Sequence, residues 1–487
     1  MVAVNRKLIL LIESFTDKEI EQFRKFVSSP FFSKGRNYLP FLEQVLKLKE
    51  GNSADDGKAE IYSEDGKKFS DQTLLNRYSE LYYLGEKFLA YSGFSENKAE
   101  MDKILLEKLQ EKKLDKFFKT NYSRILENAV NEKFDLQKYH NLSQISVFLL
   151  EYLHDKNKVE QYYQEFYGNS IIILCINLIT LLETGIEFAQ QKFDNRTYEP
   201  NYVFDFLRKL NIEEDMVNFS KSGTLIMKIT SMNYYLYKAF ENTENENCYF
   251  KAHSIFNGIS QELKDEYKVK VFTLMINYCI QKHNEGNSAY QKELFILYKE
   301  KLNQDLISDL KENKYLFNGF RDYVYIGLVL REYGWVENFI KKYSELLPDE
   351  IRKDETSLSY AKLNFAKSKY ELSLSNLENI NANNYLLYLD SSLIRLNNYY
   401  ELGKYDEAYL EIDKHKKYIK NHKEIPKDRL NYSINFINVY QKLIKYVSEP
   451  DNKNSEFLLK ELNELDYFDE REWIVKKVKD IELGITN

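Results

Sequence analysis

Proline is nearly absent from the interior of this chain. The 487 residues contain six prolines, and none lies between Pro40 and Pro200 or between Pro200 and Pro348. Glycine is also scarce, at 16 residues. A β-rich chain of this length needs many turns built from these two residues, whereas helix interiors exclude both. The sequence therefore predicts an all-α fold.

The composition indicates a folded chain and argues against a general nucleic-acid binder. Hydrophobic residues make up 43% and charged residues 30%, which is typical of globular proteins rather than disordered ones. The net charge of −7 disfavours a nucleic-acid binder, because such proteins neutralise phosphates with basic side chains. The three cysteines are widely spaced, so we expect free thiols in a reducing compartment.

Neither the N-terminus nor the most apolar segment predicts a membrane protein. The apolar run near the N-terminus ends at Glu13 without a small-residue cleavage site, so we expect no signal peptide. Residues 170–189 are strongly apolar, but Asn177 and Thr180 interrupt them, and a membrane span needs about 20 apolar residues. We therefore predict a buried core helix there, no membrane partner and a cytoplasmic protein.

Residues 1–95 predict a small helical N-terminal domain. Thr16 and Glu19 have capping-box spacing at the start of one helix, and Pro30 follows its end. A second helix precedes a polar linker at 50–69, and Ser70 caps a long third helix whose apolar residues recur at helical spacing.

The segments SPFFSK and FSDQTLLNRYSELYYLGEKFLA of this domain resemble the N-terminal region of a family of uncharacterised bacterial helical proteins. That family pairs a Ser-Pro-aromatic-aromatic-Asn turn with such a helix. This chain has Ser33 where the family usually has asparagine. The resemblance covers residues 1–95 and implies a helical domain without a particular activity.

The C-terminal third carries a degenerate repeat. Trp335, Tyr370 and Tyr405 lie 35 residues apart, twice over. The third copy resembles the tetratricopeptide repeat, in which a glycine permits the turn between two helices and an alanine lets them approach closely. The matching residues are Leu402, Gly403, Tyr405 and Ala408. The resemblance covers residues 315–447 and implies stacked helical hairpins.

We therefore predict an α-solenoid of irregular hairpins that resemble tetratricopeptide repeats. In the first two copies, Asn338 and Ser373 are expected in the place of the alanine. Upstream hairpins are predicted at 143–168, 171–210, 224–263 and 267–303. The predicted domains are 1–95, an irregular hairpin array at 96–314, the repeats at 315–447, and capping helices at 448–487. In this last domain one helical face carries Trp473, Ile474, Val478 and Ile481.

The sequence contains no motif typical of an enzyme or a nucleotide site. Cys248, His253, Cys279 and His283 are residue types that bind zinc. However, Cys248 and His253 lie five residues apart on a predicted helix, so their side chains diverge. We expect a buried Cys279, a solvated His283, no metal, no cofactor and no enzymatic activity.

The leading hypothesis is a protein–protein interaction scaffold or adaptor. It would bind a peptide or helix of a protein partner in a concave groove of the array. The predicted partner-binding residues, on the first helix of the third copy, are Arg395, Asn397, Tyr399 and Tyr400. One alternative is a regulator in which a peptide or small ligand tightens the array and moves residues 1–95. A second alternative is an RNA-binding helical-repeat protein.

Overall fold

The fold is all-helical, as predicted. The computed structural model describes residues 6–50, 70–193, 202–307, 316–378, 380, 384–448, 462 and 470–482. These residues form 22 α-helices and two short 3₁₀ helices, and none of them belongs to a strand. The chain divides into two compact units, Met1–Leu181 with Ser222–Thr230, and Leu182–Lys221 with Ser231–Asn487.

The N-terminal half of the chain begins with eight helices. They are α1 (Arg6–Glu13), α2 (Asp17–Ser28), α3 (Leu39–Glu50), α4 (Asp71–Glu96), α5 (Lys98–Glu111), α6 (Asp115–Asn131), α7 (Leu136–Asp155) and α8 (Val159–Phe193). Within the first unit α1 and α2 pack on α4, and α5 packs on both α6 and α7.

The remaining helices follow in one series. They are α9 (Tyr202–Lys209), α10 (Glu213–Lys221), α11 (Leu225–Glu241), α12 (Glu246–Ile259), α13 (Asp265–Asn284), α14 (Ala289–Asn303), α15 (Leu316–Val329), α16 (Tyr333–Tyr343), α17 (Asp349–Ala366), α18 (Tyr370–Leu377), α19 (Tyr385–Glu401), α20 (Tyr405–Asn421), α21 (Lys427–Ser448) and α22 (Arg471–Glu482). From α13 to α21 almost every helix packs on the next, and α15, α17 and α19 also pack on one another in that order.

The N-terminal helices begin and end where their capping residues predict. The backbone N–H of Thr16 donates to the Glu19 carboxylate at 2.7 Å, and the Thr16 hydroxyl accepts from the Glu19 N–H, so the capping box is confirmed. The helix ends at Ser28, and Ser70 caps α4. The linker residues 51–69 lie outside the described part of the chain.

The long helix α8 is continuous at a position where the sequence predicts the boundary between two hairpins. Hairpins at 143–168 and 171–210 require the chain to reverse near Gly168, but α8 is continuous from Val159 to Phe193, so that boundary is wrong. A glycine inside a helix costs only about 1 kcal/mol relative to alanine. The buried face that carries Cys175, Ile176 and Ile179 offsets this cost.

By length and composition, α8 also contains the one described segment that could cross a membrane, Val159–Gln191, with a mean hydropathy of 2.0 over its most apolar window. Of that window 39% is buried. Core helices of soluble proteins pass the same test, so this helix by itself is weak support for a membrane span.

Candidate functional site

The C-terminal hairpins share one turn. Arg331, Ser368 and Gly403 have left-handed backbones, with φ of 61°, 59° and 67°. In each case the next residue donates its N–H to the carbonyl five positions earlier, which is the Schellman motif, and a helix begins one residue further on. The same turn occurs at Lys113 and Asn157 in the first unit. Only one of these five positions is glycine.

The turns correct the register of the first copy. Its second helix begins at Tyr333, whereas the corresponding helices begin at Tyr370 and Tyr405, so the repeat spacings are 37 and then 35 residues. The predicted first-copy residue Trp335 lies two positions further on. Its ring stacks on Phe339, with centroids 5.4 Å apart.

The position of the predicted alanine is buried in all three hairpins. Val336, Ser373 and Ala408 each lie three residues after the start of their helix and are 0% exposed. The larger Val336 faces Gly327, where a Cβ atom would lie 2.5 Å from its Cγ2. Ser373 donates its hydroxyl to the Ala361 carbonyl at 2.8 Å. The position therefore tolerates three residue types because the facing helix adapts to each.

The four predicted partner-binding residues lie on α19, a helix with no exposed residue. Arg395 donates to the Leu377 carbonyl at 2.8 Å. Tyr399 and Tyr400 are half-buried, and burial raises the pKa of both hydroxyls. Asn397 is 0% exposed. These side chains thus pack within the second unit rather than lining an open groove.

One face of α19 combines apolar and polar groups. Asp390, Leu393, Asn397 and Glu401 are spaced at i, i+3, i+7 and i+11, so they share a side of the helix. We call it the 390–401 face. Both polar side-chain atoms of the buried Asn397 lack a hydrogen-bond partner among the described residues. A buried polar group without a partner costs about 1–3 kcal/mol, so Asn397 needs an explanation.

At one end of the 390–401 face, a charged network joins three helices. Arg321 of α15 forms ion pairs with Glu355 of α17 at 2.6 Å and with Asp390 at 3.0 Å. Lys362 of α17 lies 3.4 Å from the same Asp390 carboxylate. Burial opposes ionisation of Asp390, but Lys362 and Arg321 outweigh it and lower its pKa. Asp390 is therefore ionised at neutral pH, and the network links successive hairpins.

A crevice of about 10 Å³ lies between α19 and α21 beside this network. Asp390 lines it from α19, while Arg429, Tyr432 and Ser433 line it from α21. Its volume is close to that of a single water position. In this conformation the crevice is therefore too small for a peptide side chain.

A buried histidine links α19, α20 and α21 behind the crevice. The Nδ1 atom of His415 lies 2.9 Å from the Ser392 hydroxyl, and its Nε2 atom lies 2.5 Å from the Ser433 hydroxyl. Burial lowers the pKa of His415 to about 4, so the ring is neutral at pH 7. A neutral imidazole with two hydroxyl partners is a satisfied structural contact.

At the other end of the 390–401 face, an aromatic site holds Trp473 of α22. We call this site, formed by Phe365, Tyr400, Glu401 and Tyr440, the Trp473 site. The indole ring lies edge-on to Tyr400, with centroids 5.3 Å apart, and is within 6.5 Å of the Phe365 and Tyr440 rings. Its Nε1–H donates to Glu401 at 3.0 Å.

A lysine one turn further along α22 contacts the same carboxylate. The Lys477 ammonium lies 2.8 Å from Glu401 and 5.8 Å from the centre of the Tyr400 ring. The Glu401 side chain is only 4% exposed. A buried carboxylate is stable when it is paired and hydrogen-bonded. The Trp473 site therefore recognises an aromatic N–H and a cation together.

Three of the four residues considered for zinc, His253, Cys279 and His283, have hydrogen-bond contacts with other side chains. His253 pairs with Glu293 and Glu300, each at 3.2 Å, and these contacts raise its pKa despite the opposing effect of burial. Cys279 is buried, as predicted, and burial raises the pKa of its thiol to about 12. The described residues include no group of three or more histidine, cysteine or carboxylate side chains that could hold a metal ion.

A separate groove of about 420 Å³ lies in the first unit. It is bounded by side chains of α5, α7 and α8, with Tyr162 and Phe166 on one wall and the carboxylates of Glu151 and Asp155 on another. Gln110 donates to Glu151 at 2.9 Å across one side.

No known protein family, curated protein or solved structure matches this chain.

Sequence reasoning missed the charged network because its members lie far apart in the chain. Arg321 and Asp390 are 69 residues apart, and no local pattern connects them. The Trp473 site left a clearer signal. Trp473 is one of two tryptophans in the chain and precedes Lys477 by one helical turn.

Proposed function

We propose that residues 315–447 form an irregular α-solenoid that resembles tetratricopeptide repeats. In this proposal the protein is a non-enzymatic, cytoplasmic interaction scaffold without a cofactor. It binds a helix or extended peptide of a protein partner along the 390–401 face and the adjoining sides of α15, α17 and α21. The resemblance of residues 1–95 to the uncharacterised bacterial family adds no activity to this proposal.

One observation carries the proposal. The 390–401 face already binds an amphipathic helix, α22, through an aromatic side chain and a cation at Glu401. Ile474 and Val478 on the same helix are fully buried against α21. Binding of a helix along its apolar side is a common mode of peptide recognition. The repeated turn and the successive packing of α15, α17 and α19 agree with a solenoid.

Asn397 is fully buried, so it would contact a partner only in a conformation that opens the packing around it. Its amide offers two donors and an acceptor, which can pair with the backbone of a bound peptide. Within the described chain these groups have no hydrogen-bond partner and are buried. A bound partner that satisfied them would be favoured over one that did not.

Site-specific cross-linking in cells tests this function. We would place a photoreactive amino acid at Tyr432, on the rim of the crevice, and at Tyr409, which is 41% exposed on α20, as the matched control. We expect a discrete protein adduct at position 432 that is absent at position 409 and weakened by Asp390→Asn. The Asp390→Asn chain must keep its circular dichroism spectrum. Identical adduct patterns at positions 432 and 409 would overturn the proposal.

A further inference from the structure

We infer that the Trp473 site is a helix-recognition site that α22 occupies in cis, and that the partner helix presents the same side chains. This inference rests on the proposed function. The partner would carry an aromatic residue with a donor N–H or O–H, followed four residues later by lysine or arginine. An aliphatic residue would follow each of these two positions. In α22 the four positions are Trp473, Ile474, Lys477 and Val478.

The site combines side chains from three helices that follow one another in the array. Phe365 lies near the end of α17, Tyr400 and Glu401 lie at the end of α19, and Tyr440 lies on α21. The Tyr440 hydroxyl also donates to the Leu396 carbonyl, which fixes its ring beside Trp473. The arrangement of these groups therefore depends on the stacking of the hairpins.

The aromatic part and the carboxylate of the Trp473 site differ in chemistry. Phe365, Tyr400 and Tyr440 surround an aromatic ring, and edge-on and stacked aromatic pairs of this kind add attraction beyond the apolar area that they bury. Glu401 selects a cation because its carboxylate is almost fully buried. A helix that lacked the cation would lose this ion pair with a buried carboxylate. The two contacts together therefore discriminate between helices. A helix that only covered the apolar end of the fold would not need them.

The opposite side of α22 is free of such contacts. Glu472, Lys476 and Lys479 are exposed. Because α22 belongs to the same chain, it acts as an intramolecular competitor for the site, and its effective concentration depends on the length of the connecting segment. A partner must therefore compete with α22, and α22 limits access to the 390–401 face until a partner of higher affinity arrives.

A peptide-competition experiment tests this inference on the full-length chain. The probe is a fluorescein-labelled peptide with the sequence of residues 470–482, followed by fluorescence anisotropy. We expect it to bind a Trp473→Ala/Lys477→Ala chain at least about tenfold more tightly than the unaltered chain, because the internal competitor is weakened. Adding Glu401→Gln to that chain should reduce binding. A Lys479→Ala chain, altered at an exposed position of α22, should behave like the unaltered one.

A second variant guards against loss of folding. Lys477→Met keeps the Trp473 packing and should increase peptide affinity in the same direction by a smaller factor. Equal affinities of the unaltered and the altered chains, or no binding to either altered chain, would overturn the inference and leave α22 as a structural cap. The cross-link at position 432 separates the two hypotheses. If that adduct persists while the peptide fails, the interaction function stands without the competing helix.

Discussion

The N-terminal core of α1 to α4 and the second region, the hairpins from α17 to α21, both contain buried side chains, but these side chains differ in chemistry. The first is built from apolar side chains, among them Phe15, Phe23 and Phe88, whose ring centroids lie within 5.5 Å of one another. Among the described residues of α1 to α4 and their connections, Ser33 is the only buried residue with a polar side chain by this measure. Its hydroxyl donates to the Ser29 carbonyl. The described residues of α17 to α21 include ten buried polar or charged side chains, which are Glu355, Ser359, Ser373, Ser391, Ser392, Asn397, Asn398, Glu411, His415 and Ser433.

This difference separates stability from specificity. An apolar core is stabilised by burial and accepts replacements of similar volume. A buried polar group lowers stability unless its partners are correctly placed, so it enforces one arrangement of helices. We interpret the polar groups of the C-terminal hairpins as the means by which irregular repeats are held in one register and present a defined face. Four measurements test this difference between the two regions.

The largest effect is expected when the charged network loses one partner. Glu355→Ala removes the carboxylate that lies 2.6 Å from the mostly buried Arg321 guanidinium, and the loss of such a partner costs about 3–5 kcal/mol. Phe23→Ala in the N-terminal core should cost a similar amount, about 3–5 kcal/mol, by creating a cavity. Urea unfolding followed by circular dichroism measures both.

The rescue distinguishes the two regions. Adding Arg321→Met to Glu355→Ala should recover part of the lost stability, because it removes the buried cation whose partner Glu355 has been deleted. The Phe23→Ala loss should persist in the Arg321→Met background. Failure of the rescue would mean that the network contributes by packing alone.

The second effect is a pH dependence confined to the hairpins. The folded-state pKa of His415 is about 4 and its unfolded value is about 6.5. Its folded-state pKa is depressed, so its contribution is fully present above pH 6.5 and is lost as the pH falls toward 4. The loss should reach about 3 kcal/mol.

The free energy of unfolding of the unaltered chain and of a His415→Gln chain, compared from pH 7 to pH 4, isolates this contribution. The difference between the chains should fall with pH across that window. A pH-independent difference would contradict the buried, neutral state of His415.

A third substitution should raise stability. Asn397→Leu replaces a buried amide without hydrogen-bond partners by an apolar group of similar size, so we expect a gain of about 1–3 kcal/mol. The same change should abolish the cross-link at position 432 if Asn397 contacts the partner. Thermal unfolding measures the gain, and Asn398→Leu is the matched control. That control should destabilise the fold, because Asn398 donates to Ser373 at 2.9 Å. A destabilised Asn397→Leu chain would contradict this assignment.

The smallest effect concerns the turns. Gly403→Ser places a side chain in a left-handed backbone and should cost about 1 kcal/mol. Ser368→Gly relieves the same strain in the preceding hairpin and should be neutral or stabilising by less than about 1 kcal/mol. Thermal unfolding of the pair compares the two turns directly. If Gly403→Ser raised the stability and Ser368→Gly lowered it, the two turns would not be equivalent.

Much of the local structure was predictable. The capping box at Thr16, the turn at Gly403 and the apolar face of α22 followed from short patterns, because caps, turns and helical faces depend on residues within about one turn of each other. The register of the first repeat was not predictable, because Arg331 adopts the left-handed turn without glycine. The break near Gly168 was wrong because burial along α8 outweighs the intrinsic cost of one glycine.

The residues of the candidate site were also predictable only in part. Tyr400 was chosen from its place on the first helix of the clearest repeat, and the structure brings it to Trp473. Arg395 was chosen on the same ground, but it binds the Leu377 carbonyl within the hairpin. Helical spacing sets which side of α19 a residue occupies, whereas the neighbours on that side come from distant parts of the chain.

The all-helical fold follows from the amino-acid sequence, because prolines are rare and apolar residues recur at helical spacing. The turn at Gly403 and the buried face of α22 follow from it too. The network of Arg321, Lys362 and Asp390 and the contact of α22 with Glu401 depend on the packed fold. Such contacts depend on how whole helices stack, and the stacking free energy is a sum over many side chains that no short segment contains.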